Sequence, residues 1–159
     1  MTDEKIISEK AIKEIEELFH DVPKKSAACI EALKIVQKHH RWVSDEALKE
    51  LATMLDMTIH ELDSIATFYN MIFRKPVGRH VILLCNSVSC WIMGYEEILH
   101  YLENKLSLKY GETTPDDRFT LLPIPCLGTC DHAPALIIDE ELHRDLTIDK
   151  LDKILDAYQ

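Results

Sequence analysis

The apolar residues of this chain change period at Pro76-Val77-Gly78, and that change restricts the fold more than any other feature. Before it, apolar side chains recur at helical spacing; after it, short and nearly continuous apolar runs take over. Ala11, Ile12, Ile15, Leu18 and Phe19 mark a first amphipathic helix beginning at Ser8. Pro23 and Lys24-Lys25 interrupt it, and a second pattern runs from Ser26 through Cys29, Ile30, Leu33, Ile35 and Val36 to about His39-His40. Ser44-Asp45-Glu46 offers an N-cap with acidic residues in the first turn, where they complement the helix dipole, ahead of Ala47, Leu48, Leu51 and Leu55. Thr58-Ile59-His60-Glu61 has the form of a capping box leading into Leu62, Ile65, Ala66 and Tyr69. Helical spacing lasts to about Phe73, and residues 1–75 are expected to form a helical bundle domain.

Residues 76–159 read as a second domain. His80-Val81-Ile82-Leu83-Leu84 suits a buried strand, and Gly94 to Tyr110 reads as a helix stopped by Gly111. Phe119-Thr120-Leu121-Leu122 and Ala135-Leu136-Ile137-Ile138 are two further strands. Asp139-Glu140-Glu141 makes a turn into a short edge strand, and Thr147 caps a closing helix that reaches Ala157. The order is βαββ(β)α, so the fold class is α+β: a helical bundle followed by an α/β domain with a mixed sheet.

Composition removes several function classes. The 159 residues hold 18 Lys plus Arg against 28 Asp plus Glu, a formal charge of −10, which repels phosphate backbones and anionic lipid alike, so no nucleic-acid partner is expected. No apolar run is long enough to span a bilayer, and Met1-Thr2-Asp3-Glu4-Lys5 has neither a basic nor an apolar leader region, so a cytoplasmic protein without direct membrane insertion is expected. The four glycines, Gly78, Gly94, Gly111 and Gly128, are too far apart for either glycine-rich phosphate loop, which leaves the chain no nucleotide site of its own.

Four of the five cysteines form two pairs, Cys85/Cys90 as C-x₄-C and Cys126/Cys130 as C-x₃-C, each just after an expected strand. Two strand-end loops at one sheet edge can converge four thiolates, and four thiolates imply a metal centre. Disulfides are disfavoured for a chain expected in a reducing compartment. Zinc stays open on spacing alone, but C-x₄-C is the leading spacing of plant-type [2Fe–2S] ferredoxins, and the C-x₂-C runs of four-iron clusters are absent. Ser87, Ser89, Thr129 and the amides around Gly128 can donate to sulfur, and Cys90 falls near an expected helix start whose dipole favours a thiolate. Cys29 lies on an apolar helix face and reads as a small core residue. His132 follows Cys130 closely, yet with four cysteines at hand it reads as a solvated loop residue rather than a mixed His/Cys ligand. His20, His39, His40, His60 and His100 share no ligand spacing.

These cysteines, with Ala66-Thr67-Phe68-Tyr69, Lys75-Pro76-Val77-Gly78 and Cys126-Leu127-Gly128-Thr129-Cys130 followed by Ala133-Pro134, resemble the 24 kDa subunit family of respiratory complex I, from about residue 10 to the C-terminus. The resemblance implies a helical leader, a thioredoxin-like domain and one [2Fe–2S] cluster on Cys85, Cys90, Cys126 and Cys130. It also implies a place for Pro134 where such folds often carry a cis proline. The implied partner is the flavoprotein subunit that binds NADH and carries FMN, within the peripheral arm of a larger membrane-associated respiratory complex. The implied activity is one-electron exchange between this cluster and that flavin, with no catalytic residue on this chain. Related subunits serve NAD-linked formate dehydrogenases and hydrogenases. A free thioredoxin-like ferredoxin and a zinc-stabilised interaction module are the alternatives from other classes. Trp42, Phe68 and Tyr69 are candidates for docking to the flavoprotein, although each also suits a core position.

Overall fold

Short hydroxyl side chains start three of the four helices of the N-terminal unit. Ser8 Oγ accepts the Ala11 amide (3.3 Å) at the head of α1 (Glu9–Leu18), and Ser44 Oγ accepts the Ala47 amide (3.1 Å) at the head of α3 (Asp45–Met54). Thr58 and Glu61 bond reciprocally before α4 (Ile59–Phe68): Thr58 Oγ1 accepts the Glu61 amide at 3.2 Å, and the Glu61 carboxylate accepts the Thr58 amide at 2.9 Å. The remaining helix, α2 (Cys29–His40), grows out of a 3₁₀ turn at Lys25–Ala28 and stops where Arg41 turns left-handed. This computed structural model describes residues 6–158, which divide into one unit ending at Pro76 and another starting at Val77.

The core of the first unit is aliphatic, with Ile15, Leu33, Val36, Leu48, Leu51, Leu55 and Leu62 all 2% exposed or less. Beyond α4 the chain leaves helical geometry and is tied back by polar side chains. Gln37 donates to the Met71 carbonyl (2.9 Å) and accepts the Phe73 amide (2.6 Å). Arg74 bonds Asp63 (3.0 Å), Asp45 (2.6 Å) and the Val43 carbonyl. These bonds satisfy backbone groups that a helix would otherwise have paired internally.

The second unit holds a four-stranded mixed sheet in the order β2-β1-β3-β4, with β1 (His80–Cys85), β2 (Phe119–Ile124), β3 (Leu136–Ile138) and β4 (Glu141–His143). β1 and β2 run parallel and require a crossover, supplied by α5 (Val88–Ile92) and α6 (Tyr95–Leu106); the other pairs are antiparallel. β2 is an edge strand, which is why it tolerates Pro123 and continues to Ile124 instead of ending at Leu122. The closing helix α7 (Ile148–Ala157) is capped by Thr147, and Leu151 and Leu155 join Ile82, Leu84, Leu102, Phe119, Leu121 and Leu136 in the core.

One expectation needs correction. The long helix starts at the Gly94 cap as expected but does not reach Tyr110. Gly94 at φ +105° separates α5 from α6, and α6 stops at Ser107, which itself takes the left-handed conformation (φ +53°), well before Gly111. A glycine sits at the joint because left-handed backbone there costs it little. Gly78 is a different case: a Cβ on it would lie 3.0 Å from the Phe119 carbonyl carbon, so a side chain there would press on the Arg118–Phe119 backbone, while its amide donates to Thr120 Oγ1 at 2.6 Å. Among the described residues no helix is long and apolar enough to cross a membrane.

Candidate metal centre

Parallel pairing brings the two cysteine loops together. β1 and β2 end at the same sheet edge, with Cys85 opposite Ile124, so the chain leaving β1 and the chain leaving β2 emerge side by side. Cys85 is the last residue of β1, Cys90 the third residue of α5, and Cys126 follows Ile124 by two positions. β3 runs the other way, so its beginning reaches the same edge, and the Ala135 carbonyl there accepts the Cys85 amide (3.1 Å). Cys130 opens the 3₁₀ turn Cys130–His132, and the Ala133–Pro134 bond after it is cis.

Cys85 and Cys90 are buried, Cys126 and Cys130 exposed, and none of the five cysteines is bridged. Cys85 and Cys90 interact directly, and Cys85 Sγ lies 3.5 Å from Ser87 Oγ. The second loop reaches the first through its backbone: the Leu127 amide bonds the Cys85 sulfur, the Ala135 amide bonds that of Cys90, and the Gly128 amide donates to Cys126 Sγ at 3.3 Å. Gly128 holds φ +71°, and nothing lies within 4 Å of where its Cβ would be, so backbone conformation rather than space favours glycine.

These donors act on the thiols. Burial pushes Cys85 up, but bonds from Ser87, Cys90 and Leu127 outweigh it and leave the group below the ordinary thiol range. Cys90 goes the other way, raised by burial and then by the neighbouring Cys85. Tyr110 nearby, hydroxyl to hydroxyl with Tyr95 at 2.8 Å, is pushed far above the usual tyrosine range by burial, with Tyr95 and more weakly Glu103 and Cys85 adding to it.

Among the described residues, no three His, Cys, Asp or Glu side chains are grouped tightly enough to hold one metal ion. A two-iron cluster makes a different demand, dividing its ligands between two irons, and its sulfur ligands take hydrogen bonds from amides and hydroxyls. Four thiols on two adjoining loops, three of them already bonded by backbone amides, fit that donor chemistry. A family model described as thioredoxin-like [2Fe-2S] ferredoxin matches residues 15–159. The chain belongs to that family. One [2Fe–2S] cluster is accordingly its cofactor, and the α+β expectation with a mixed sheet holds.

Relatives are similar over almost the whole chain. The E subunit of the NADH-quinone oxidoreductase of Pseudomonas aeruginosa is 45% identical over 157 residues, covering 99% of this chain and 95% of that protein. Its counterpart in Escherichia coli K12 is 49% identical over 145 residues, covering 91% and 87%. A solved NAD⁺-reducing [NiFe]-hydrogenase, in the H₂-reduced state, aligns with a TM-score of 0.69 and 25% identity. That alignment covers 83% of this chain but spans only 22% of the hydrogenase chain.

The other residues singled out in the sequence fall outside this centre. Cys29 packs in the core of the first unit. His132 pairs its Nδ1 with Asp145 (3.0 Å) and its Nε2 with Asp131 (3.5 Å), half exposed. Phe68 is 80% exposed and Tyr69 42%, while Trp42 is half-buried. Thr129 is buried beside Cys130. The amides of Leu127 and Ala135 were missed, because every residue but proline carries one and the side chains give no sign of where it points.

Proposed function

We propose that Cys85, Cys90, Cys126 and Cys130 hold the [2Fe–2S] cluster. In this reading the chain is the electron-carrying subunit of an NADH:quinone oxidoreductase, exchanging single electrons with the FMN of an NADH-oxidising flavoprotein subunit. The observation that carries this is similarity at 45–49% over nearly the full length to proteins named as the E subunit of that enzyme, joined to four cysteines on adjoining loops. When bound, the cluster supplies storage of one electron at a time. The chain's own residues set the conditions for it. Leu127, Gly128 and Ala135 present amide hydrogens to sulfur and offset the negative charge that reduction increases. Ser87 supplies a hydroxyl beside Cys85, and the burial of Cys85 and Cys90 keeps water from the inner side of the site. The glycine spacing holds neither glycine-rich phosphate loop, and in this reading NADH and FMN belong to the partner. The complex has a peripheral arm in which such a chain, without a bilayer-spanning helix among its described residues, would sit.

The test is a visible spectrum with iron and sulfide analysis of the anaerobically purified chain, followed by reduction with NADH in the presence of the flavoprotein subunit. Two irons and two sulfides per chain, and bleaching by NADH only when the flavoprotein is present, are expected. Stoichiometric zinc without sulfide sinks the reading. Likeness to the NAD⁺-reducing hydrogenase favours a second one, the equivalent electron-carrying part of a hydrogenase, which reduction by a hydrogenase module but not by the NADH-oxidising flavoprotein would support.

A further inference from the structure

The stretches that carry the four cysteines hold no formal charge. Residues 81–95, from the second residue of β1 through α5, and residues 119–130, from β2 as far as Cys130, hold no Asp, Glu, Lys, Arg or His, in a chain of which 29% is charged and whose net charge is −10, although Asp131 and His132 follow directly. Ordinary surface loops do not look like this; they are where charge normally collects. The α5 segment, moreover, is turned outward. Val88 is 68% exposed, Trp91 57%, Ile92 69% and Met93 60%, four large apolar side chains around Cys90, which is itself buried. Trp91 is held in place, its indole N–H donating to Glu96 at 3.0 Å, so a large aromatic is fixed in the open before anything covers it.

We infer that this α5 rim is the surface through which the chain docks on its redox partner, by an apolar and salt-insensitive contact with an uncharged face of the flavoprotein subunit. The inference rests on the function proposed above and adds where and how the two chains meet. Two observations select that occupant. Electron exchange weakens steeply with distance, so a redox partner has to approach the four cysteines. Cys90 lies within α5 itself, and the loop of Cys126 and Cys130 bonds Cys85 beside it. The missing charge then fixes the chemistry of the contact. A carrier that docks transiently uses rings of charge, which steer encounter and are screened by salt. A permanent subunit interface has a charge-depleted centre rich in Trp, Met and aliphatic side chains, and Val88, Trp91, Ile92 and Met93 match it.

The experiment titrates the full-length, cluster-loaded chain with the purified flavoprotein subunit in about 0.05 M and about 0.5 M NaCl, a range over which surface ion pairs are largely screened. Wild-type affinity is expected to change less than about threefold between the two, and Ile92→Asp and Met93→Asp to weaken binding by about tenfold or more at either. Lys153→Gln on α7, with the same change in net charge as either aspartate variant, is expected to bind as wild type. The visible spectrum of every variant checks that the centre is intact. A steep loss of wild-type affinity in high salt, or undiminished binding by the aspartate variants, overturns the inference while leaving the proposed function standing. A cluster-loaded wild type that fails to bind the flavoprotein at all overturns the proposed function instead. Sedimentation of the chain alone provides the remaining arm. A dimer that Ile92→Asp converts to monomer assigns the rim to a second copy of this chain and overturns the inference.

Discussion

Cys29 and Cys85 are both buried thiols, one in each unit, and their surroundings differ in kind. Cys29 begins α2 and packs in the same aliphatic core as Ala32, Leu33 and Val36, with no hydrogen bond to its sulfur among the described residues, and there sulfur does the work of a methyl group. Cys85 ends a strand and meets a hydroxyl, a second thiol and the amide of a neighbouring loop. Burial alone therefore says little about what a cysteine is for. Donors aimed at sulfur distinguish the two, and parallel strand pairing brings those donors there. The helical unit spends its polar groups closing its own helix ends; the sheet unit aims several at one place.

The sharpest way to break this comparison is to remove the sulfurs one at a time. Alanine at Cys85, Cys90, Cys126 or Cys130 is expected to reduce cluster content at least about tenfold, read as visible absorbance per chain, because one iron then lacks a thiolate. Cys29→Ala is expected to keep the full spectrum and to cost on the order of 1 kcal/mol of stability, the worth of about one buried methylene. A colourless Cys29→Ala chain that remains folded would place the ligand set elsewhere.

The next largest effect concerns the two cores. Leu33 and Leu102 are each completely buried, in the first and second unit respectively. Truncation to alanine at either is expected to cost about 2–5 kcal/mol. We propose that the two units are separate domains, and on that basis Leu33→Ala lowers the melting of the helices, followed by circular dichroism, while the cluster bleaches at its original temperature; Leu102→Ala lowers the bleaching temperature. If either variant shifts both signals together, the units melt as one.

Ser87→Ala tests the aimed donors more finely. Ser87 Oγ lies 3.5 Å from Cys85 Sγ, and a hydroxyl donating to a thiolate favours the reduced, more negative state. Its loss is expected to make the reduction potential more negative by tens of millivolts, about what 1 kcal/mol of hydrogen bonding amounts to for one electron. Ser89→Ala, whose hydroxyl makes no bond to sulfur among the described residues, is the control. Equal potentials in both variants would mean that amides alone set the cluster's surroundings.

How much of this was readable beforehand follows the same division. Ser44, Thr58 and Thr147 could be named as caps because a cap is a local affair, decided within four residues; Ser8 was legible only as the place where the first helical pattern begins. The strands could be named from runs of apolar residues, and the cysteine spacing drew attention to two loops that parallel strand pairing sets side by side. The stop of α6 at Ser107 could not, since a serine in left-handed backbone gives no sign of it until its φ of +53° is seen. Nor could the Leu127 and Ala135 amides, which reach sulfur only because of strand register. The uncharged stretches around the cysteines were in plain view, but they acquire meaning only with the exposure of Val88, Trp91, Ile92 and Met93.

The smallest effect lies in the helical unit, at the capping box of α4. Glu61 is held below the usual carboxylate range by the Thr58 side chain first and the Thr58 amide second. A carboxyl group whose folded pKa is lowered contributes stability that is present above its unfolded value and lost as pH falls through the folded one. For Glu61 that window lies below 4.5, so the reciprocal bond is intact at neutral pH and weakens only in acid. Thr58→Ala removes the partner and, at neutral pH, is expected to cost about 1 kcal/mol, as caps generally do. Following the Glu61 side-chain carboxyl by ¹³C NMR in the full-length chain prepared without iron should show a titration midpoint below 4.5 in the wild type, moving up toward the ordinary glutamate range in Thr58→Ala without reaching it, because alanine keeps the backbone amide that also donates to the carboxylate. Because Thr58 Oγ1 accepts the Glu61 amide whatever the carboxyl's charge, the stability difference between the two chains should shrink on acidification without vanishing. A midpoint indifferent to Thr58 would show that the box is a geometric coincidence and that α4 starts where it does for its apolar face alone.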